Sequence, residues 1–328
     1  MRLLYDFVLF FYHNGIRLAA FFHPKAQKWT AGRKQLFQQL PPANKKKKRV
    51  WMHCASLGEF EQGRPLLEAL KQQYPKIEIL LTFYSPSGYE LRKNYAGANF
   101  IHYLPPDTAA NANRFLQICQ PDLAIFVKYE FWYHYLTQLK QNAIPSLLIA
   151  AQFRPNQLFF RSYGGFFRKM LTQFEQIFAQ DHRSTQLLDQ IGLSKYQVSG
   201  DPRVDRVQQI AEQKQSWPII ERFCGKQPLF IAGSTWPADE AILIPFLKDQ
   251  LPNHWKVIIA PHEIHSPHLK QLQNQLPFPS QLYSRAQKQD EAARIMIIDN
   301  VGMLSSVYQY GRIAYIGGGF GKGIHNTL

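Results

Sequence analysis

From residue 50 onward, short apolar runs alternate with amphipathic segments of helical periodicity. This alternation constrains the fold more than any other feature of the chain. Apolar runs of this length are typical of buried strands, and strands that alternate with helices predict βαβ units and parallel sheets. The predicted strands are Val50–His53, Ile77–Phe83, Phe100–Leu104, Leu123–Val127, Ser146–Ala150, Gln176–Ala179, Leu229–Gly233, Trp255–Ala260, Ile295–Ile298 and Ile313–Ile316.

A charged and polar stretch, Gln208–Gln227, separates two such series. We therefore expect two doubly wound α/β domains that face each other across a cleft. The predicted division is an N-terminal helix and basic linker (1–44), a first domain (45–207) and a second domain (208–328). The last strand leads into a glycine-rich loop at Ile316–Leu328 with no helix after it. We expect the second domain to be truncated.

The segment WMHCASLGEFEQG, from Trp51 to Gly63, carries the first candidate site. An apolar run is followed by small residues and then by Glu59, at the start of a helical pattern. A carboxylate on a tight strand-to-helix turn lies where backbone N–H groups converge and where ligand sites open in such sheets. Glu59 is therefore a candidate general base. The alternative is that it only caps and charges the helix N-terminus.

The net charge of +15 favours an anionic partner, such as nucleic acid, acidic membrane lipid or a phosphorylated substrate. The three cysteines are far apart and show neither metal-ligand nor disulfide spacing, which favours a reducing compartment.

The N-terminal segment Leu3–Phe22 is very apolar, and Asp6, His13 and Arg17 form a narrow polar stripe on it. The lysine-rich run Lys45–Arg49 follows. A helix of this kind near a basic run suits a segment embedded at the cytoplasmic face of a membrane with anionic lipid. The alternative is a buried core helix. Nucleic acid is disfavoured as a partner because aromatic residues are not interleaved with the lysines.

Three loops in the second half follow predicted strands, at the edge where doubly wound sheets bind ligands. In the first of them, Ser234 and Thr235 are candidate donors to a phosphate. The second loop contains Pro261 and His262, and the third is the glycine-rich loop, whose backbone amides can approach a phosphate closely. Plain turn chemistry is the alternative. His-x-x-His after a strand is not a recognised ligand spacing, so we expect no metal.

Two charged residues of the first half also follow predicted strands. Glu130 follows Leu123–Val127 and is expected to begin a helix, and Arg203 lies in SGDPRVD. A cation at this position can stabilise leaving-group phosphate. A helix-terminus charge and a surface arginine are the alternatives.

Together these segments resemble the 3-deoxy-D-manno-octulosonic acid (Kdo) transferases of lipid A biosynthesis. HCASLGE is similar to the family's His-Ala-x-Ser-x-Gly-Glu segment, KYEFW to its Glu-x-Glu-Leu-Trp segment, and SGDPRVD to its Thr-Gly-Asn-x-Lys-x-Asp segment. FIAGSTWPADEAIL, IIAPHEIH and IGGGFGKGIHNTL resemble three nucleotide-side motifs in the same order.

The resemblance implies a GT-B fold of two Rossmann-like domains. It implies an inverting glycosyltransferase at the cytoplasmic face of the cell inner membrane, with CMP-Kdo as donor, lipid IVA as acceptor and neither metal nor cofactor. Glu59 matches the catalytic base, and Glu130 and Arg203 match positions that stabilise the transition state. The matches to CMP-contacting segments are Pro261, His262, Val301, Gly302, Met303, Asn326, Thr327 and Leu328.

Three departures from the family pattern concern the site. Lys128 stands where the family has the first glutamate of Glu-x-Glu, and Arg203 stands where it has lysine. Met303 stands where a glutamate is often found, so nucleotide contacts there are expected from backbone groups. The segments Leu3–Phe22 and Lys45–Arg49 would together form the surface that docks on the membrane.

Two other functions fit parts of the pattern. One is a different GT-B enzyme that uses a nucleotide sugar, such as an epimerase or a transferase of wall synthesis. The other is a non-catalytic basic protein that binds a membrane or nucleic acid, for which a Glu59 substitution would leave the activity intact.

Overall fold

The computed structural model describes residues 1–212, 215–286 and 292–320. The chain divides into two compact units, Met1–Asp205 and Arg206–Leu328, which are called unit 1 and unit 2.

Unit 1 is built on a seven-stranded sheet with the order β3-β2-β1-β4-β5-β6-β7. Every neighbouring pair is parallel, so all strands end at one edge, which is called the carboxyl edge, and begin at the opposite, amino edge. The strands are β1 Arg49–Cys54, β2 Glu78–Phe83, β3 Phe100–Tyr103, β4 Leu123–Val127, β5 Ser146–Ala151, β6 Gln176–Ala179 and β7 Tyr196–Val198.

Helices cover both faces of this sheet because the strands are apolar on both sides. In β1, Trp51 packs into one core with Leu80 and Phe126, whereas Met52 packs into the core on the opposite face. The helices of unit 1 are α1 Arg2–Ala19, α2 Pro24–Ala31, α3 Leu36–Gln39, α4 Leu57–Gln73, α5 Pro86–Arg92, α6 Ala109–Cys119, α7 Tyr133–Gln141, α8 Gly165–Leu171, α9 His182–Asp189 and α10 Pro202–Glu212, which continues into unit 2.

Two residues of the polar stripe on the N-terminal helix α1 contact other elements of unit 1, while the third, Arg17, is exposed. Asp6 Oδ1 lies 2.5 Å from Nε2 of His134, and Nε2 of His13 lies 3.1 Å from the Tyr84 hydroxyl. Because Tyr84 and His134 follow β2 and β4, the helix lies at the carboxyl edge. Its other face is exposed and apolar. Among the described residues, no helix combines the length and the apolar character needed to cross a membrane.

The lysine run lies at the amino edge instead. Lys48 Nζ is 2.7 Å from Oδ1 of Asp122, just before β4. Arg49 is buried, and its Nη2 is 2.7 Å from Oε2 of Glu78, the first residue of β2. The expectation that Leu3–Phe22 and Lys45–Arg49 form one docking surface is therefore wrong, because the sheet separates them.

Unit 2 has a five-stranded parallel sheet among its described residues, with the order β10-β11-β9-β8-β12. Its strands are β8 Leu229–Thr235, β9 Lys256–Pro261, β10 Ser280–Leu282, β11 Ile295–Ile297 and β12 Ile313–Ile316. Its further helices are α11 Pro218–Cys224, α12 Pro237–Asp249, α13 Ser266–Gln275 and α14 Leu304–Val307.

The predicted α/β class is confirmed, and each predicted strand is present within two residues of its predicted ends. Two local predictions are wrong. Glu130 does not begin a helix, since α7 starts at Tyr133. The sequence pattern also predicts a helix at Phe160–Leu171, but α8 starts only at Gly165, after a separate 3-10 turn at Leu158–Phe160.

Candidate active site

Glu59 lies in the first turn of α4, which begins directly beyond the carboxyl end of β1. Its Oε2 accepts hydrogen bonds from the backbone N–H of Ala55 at 2.5 Å and of Ser56 at 3.2 Å. The two roles considered for Glu59, a helix cap and a general base, therefore do not exclude each other. The same carboxyl group caps the helix and stands at the edge where parallel sheets bind ligands.

The surroundings of Glu59 raise its pKa to about 8. Burial is the largest cause and the charge of Glu130 is the second, while the two backbone N–H groups and Lys128 act in the opposite direction. A carboxyl group with a pKa near neutrality can both take and return a proton at physiological pH.

Glu130 lies in the loop between β4 and α7 and is 5% exposed. Its Oε2 accepts a hydrogen bond of 2.6 Å from Nε1 of Trp132. The same oxygen lies 2.9 Å from Nε2 of His53, although the two atoms are not aligned for a hydrogen bond. Glu130 is thus a fixed, nearly buried carboxylate.

The interpretation of the sequence gave His53 no role of its own. It is fully buried in β1, and its Nδ1 lies 2.9 Å from Oγ1 of Thr82 on β2. Trp51 donates to that same oxygen at 2.8 Å. The contact between His53 and Glu130 depends on β1 and β4 being neighbours, which the strand order decides. The only sequence signal was the histidine that opens HCASLGE.

Arg203 lies in the first turn of α10, after β7. Its Nε lies 3.0 Å from both carboxylate oxygens of Asp201, so Asp201 holds the guanidinium in place. Lys128 follows β4 and is half-buried. Burial and then the charge of Arg203 lower the pKa of Lys128. The structure therefore brings Glu59, Glu130, Lys128 and Arg203 to the carboxyl edge of unit 1.

The corresponding edge of unit 2 contains Ser234, Thr235, Pro261 and His262, at the ends of β8 and β9. Ser234 has a left-handed backbone with φ of 54°, and Thr235 is buried. The ring of His262 stacks on Trp236 with 4.4 Å between centroids. This aromatic pair was not predicted from the sequence.

Two buried carboxylates hold the loops of this edge together. Asp239 accepts hydrogen bonds from the backbone N–H of Trp236 and of Gly318, at 2.8 and 2.9 Å. Glu240 accepts one from Oγ1 of Thr235 at 3.1 Å and lies 3.1 Å from Nε2 of His268. The sequence interpretation missed both residues, because nothing in the pattern distinguishes them from ordinary charges at a helix start.

The remaining predicted nucleotide contacts differ in their settings. Val301 is exposed, Gly302 has φ of 100°, and the Met303 side chain is buried in the core of unit 2. Met303 can therefore meet a ligand only through its backbone. Asn326, Thr327 and Leu328 lie outside the described residues. Among the described residues, no group of three His, Cys, Asp or Glu side chains has the arrangement of a metal site.

Comparison with protein families gives a match over residues 31–206 to the model described as "3-Deoxy-D-manno-octulosonic-acid transferase (kdotransferase)". This range contains Glu59, Glu130 and Arg203. The chain belongs to the Kdo transferase family. The resemblance drawn from the motifs is thereby confirmed, and so is the assignment to a family of glycosyltransferases.

Curated relatives agree with this assignment. The 3-deoxy-D-manno-octulosonic acid transferase of Rickettsia bellii is 25% identical over 287 residues, which is 85% of this chain and 68% of that protein. The enzyme of Haemophilus influenzae is 26% identical over 289 residues, 85% of this chain and 67% of that protein. For the enzyme of Rickettsia felis the identity is 24% and the match spans 61% of its length. This Kdo transferase chain thus spans about two thirds of its relatives.

Solved structures support the GT-B fold. The UDP-GlcNAc 2-epimerase from Neisseria meningitidis aligns with a TM-score of 0.55 and 14% identity, over 82% of this chain and 77% of that one. The epimerase from Methanocaldococcus jannaschii gives a TM-score of 0.53 and 14% identity, over 82% and 78%. At this identity the likeness concerns the fold alone.

Proposed function

We propose that the chain is an inverting glycosyltransferase that moves Kdo from CMP-Kdo to lipid IVA, at the cytoplasmic face of the cell inner membrane. The observation that carries the proposal is the placement of Glu59 at the carboxyl edge of unit 1, within the family match and with a pKa raised to about 8.

In the proposed reaction the ionised Glu59 takes the proton from a sugar hydroxyl of the acceptor. The acceptor oxygen then forms a bond to the anomeric carbon of Kdo, while the bond from that carbon to the CMP oxygen breaks and CMP leaves with the electron pair. Attack opposite the leaving group inverts the anomeric centre. The reaction needs neither a metal nor a cofactor.

Glu130 and Arg203 have different parts in this scheme. Glu130 is a fixed negative charge that raises the pKa of Glu59 and so strengthens it as a base. The carboxylate of Asp201 holds Arg203, and the proposed role of Arg203 is to offset negative charge on the departing CMP phosphate.

Unit 2 is the proposed site of the donor nucleotide. Its carboxyl edge offers hydroxyl groups at Ser234 and Thr235, an aromatic surface at the stacked pair Trp236 and His262, and backbone groups at Val301–Met303. Rossmann-like sheets bind nucleotides at this edge.

The apolar face of α1 is the proposed membrane contact. Leu3, Phe7 and Phe11 succeed one another at four-residue intervals and are 83%, 59% and 56% exposed. Residues with this spacing lie on one side of a helix, as in helices that bind in the plane of a membrane interface. Because α1 lies at the carboxyl edge of unit 1, an acceptor held in the membrane would be close to Glu59.

Incubation of the purified chain with CMP-Kdo and lipid IVA, followed by mass spectrometry of the glycolipid, tests the proposal. We expect a product that is heavier by one or more Kdo residues, and no product when CMP-Kdo is replaced by UDP-GlcNAc. Absence of product with CMP-Kdo, or product with UDP-GlcNAc, would contradict the proposal.

A further inference from the structure

Three cations meet at the carboxyl edge of unit 1. Lys128 follows β4, Arg154 follows β5 and Arg203 follows β7, and these strands lie on one side of the sheet. The charge of Lys128 interacts with both arginines, and also with Asp201 and Glu59. Like charges at one edge repel each other, so this arrangement carries an electrostatic cost unless an anion joins it.

Two of the carboxyl groups at the same edge, Asp201 and Glu59, do little to balance these charges, and a third, Glu130, is engaged by Trp132 and lies beside His53. Asp201 is engaged by the guanidinium of Arg203, with 3.0 Å from Nε to each oxygen. Glu59 has a pKa of about 8 and is mostly protonated at neutral pH. Lys128 and Arg154 are therefore left with little compensating negative charge from these two groups.

The backbone at Lys128 adds a second, independent observation. Its φ is 69°, in the left-handed region, and its N–H donates to the Ile149 carbonyl at 2.8 Å. This conformation is strained for a residue that has a side chain. Strained residues of this kind cluster at active sites and ligand clamps. The Lys128 ammonium also lies 5.4 Å from the centre of the Tyr129 ring, which keeps the side chain near the edge.

We propose that Lys128, Arg154 and Arg203 together bind an anionic oxygen group of the substrate beside Glu59. Among these three residues, Lys128 determines the specificity of the site for that anionic group. Three groups of the proposed substrates have the required chemistry: the carboxylate of the donor sugar acid, the CMP phosphate of the donor and a phosphate of the acceptor. Ammonium and guanidinium groups form charge-assisted hydrogen bonds with carboxylates and with phosphates. The inference rests on the proposed function, because it concerns the same site.

The role of Lys128 is consistent with its place in the motif. It stands at the first position of KYE, where the family pattern has a glutamate. A positive charge there reverses the electrostatic potential that a glutamate would create. We therefore expect this chain to hold the anionic group of its substrate more tightly than a variant with a neutral residue at this position.

The test compares Lys128→Met and Lys128→Arg with Lys140→Met, which removes an exposed lysine near the end of α7. KM and kcat are measured near neutral pH, below the Glu59 pKa of about 8, where most of Glu59 is protonated and its ionised fraction supports turnover. Loss of a charge-assisted contact costs about tenfold or more in affinity. We expect Lys128→Met to raise one KM by roughly tenfold, Lys128→Arg to restore most of it, and Lys140→Met to behave like the wild type.

The substrate whose KM rises identifies the anion. A higher KM for CMP-Kdo indicates an anion of the donor, which is the carboxylate if inhibition by free CMP is unchanged and the phosphate if that inhibition weakens equally. A higher KM for lipid IVA, with no change for a dephosphorylated acceptor, indicates the acceptor phosphate. If Lys128→Met changed neither KM, or if Lys140→Met changed them equally, the inference would be overturned.

A binding measurement separates this inference from the proposed function. Free Kdo and inorganic phosphate are titrated into the wild type and the three variants, and binding is followed by NMR. If the wild type formed no glycolipid, the proposed function would fail. Weaker binding of either anion to Lys128→Met alone would still support the anion site, and equal binding to all four proteins would contradict it.

Discussion

The carboxyl edges of the two sheets are both formed by parallel strands but use their carboxyl groups differently. In unit 1, Glu59 has a pKa raised to about 8 and stands beside Glu130 and Lys128. In unit 2, Asp239 and Glu240 are buried and are engaged by backbone N–H groups, Thr235 and His268. The first edge keeps a carboxyl group available for proton transfer, whereas the second uses its carboxylates to hold loops in place.

The difference shows that position at a sheet edge does not decide what a carboxyl group does. Asp239 and Glu240 use their hydrogen bonds to join separate segments, linking β8 and the residue after it to Gly318 and α13, and so act as structural groups. Burial and a neighbouring negative charge disfavour the charged form of a carboxyl group, so the group retains its proton to higher pH. That environment is the one that a general base requires.

The largest effect is expected from Glu59→Gln. If the carboxyl group of unit 1 is the base, kcat should fall by about 10² to 10⁴, because general base catalysis contributes that much. Binding of CMP-Kdo, measured by calorimetry, should be unchanged. The matched control is Glu61→Gln on the same helix, where Glu61 is half-buried and pairs with Arg92. Residual turnover within about tenfold of the wild type would remove the base assignment.

The second prediction concerns membrane attachment, which we assign to unit 1 because the exposed apolar face of α1 belongs to it. Full burial of one large apolar side chain is worth about 1.5–3 kcal/mol. If the interface buries about half of each of these side chains, a Leu3, Phe7 and Phe11 triple substitution to Ser should weaken binding to vesicles with anionic lipid by about a hundredfold. The control is Leu91→Ser, an exposed leucine of α5. Equal sedimentation of both variants with vesicles would contradict the role of α1.

In unit 2 we expect Glu240→Ala to affect stability and not proton transfer. The change leaves the buried groups of Thr235 and His268 without this acceptor. An unsatisfied buried group costs about 1–3 kcal/mol. Urea unfolding should show that loss, while Glu263→Ala, on an exposed pair with His265, should show none. If Glu240→Ala shifted the pH profile of kcat, the proposed difference in function between the carboxyl groups of the two edges would be wrong.

The smallest effect is a shift of the pH profile. If Glu59 is the base, the rate should rise with pH through an apparent pKa near 8, as the carboxyl group loses its proton. The charge of Glu130 raises this pKa. Glu130→Gln removes the charge, so the pKa of Glu59 falls and the midpoint of the profile moves to lower pH. An unchanged midpoint, or one at higher pH, would show that Glu130 does not act on Glu59 in this way.

The strands were predictable because each is an apolar run long enough to be buried on both faces. Glu59 was predictable as a candidate because it follows β1 within a few residues, and the family was predictable from the order of its motifs. The chain alone did not indicate that His53 contacts Glu130, since those residues are distant in sequence and meet only because β1 pairs with β4.

The sequence by itself determined the α/β class, the strands and the residues that follow their ends, because hydrophobic periodicity and turn chemistry are local properties. Only the tertiary structure decided that α1 and the lysine run lie at opposite edges, and that Glu59 retains its proton while Glu240 is a structural anchor. The reason is physical. The ionisation and the exposure of a side chain depend on burial and on charges contributed by distant segments, and those are set by which strands and helices pack together.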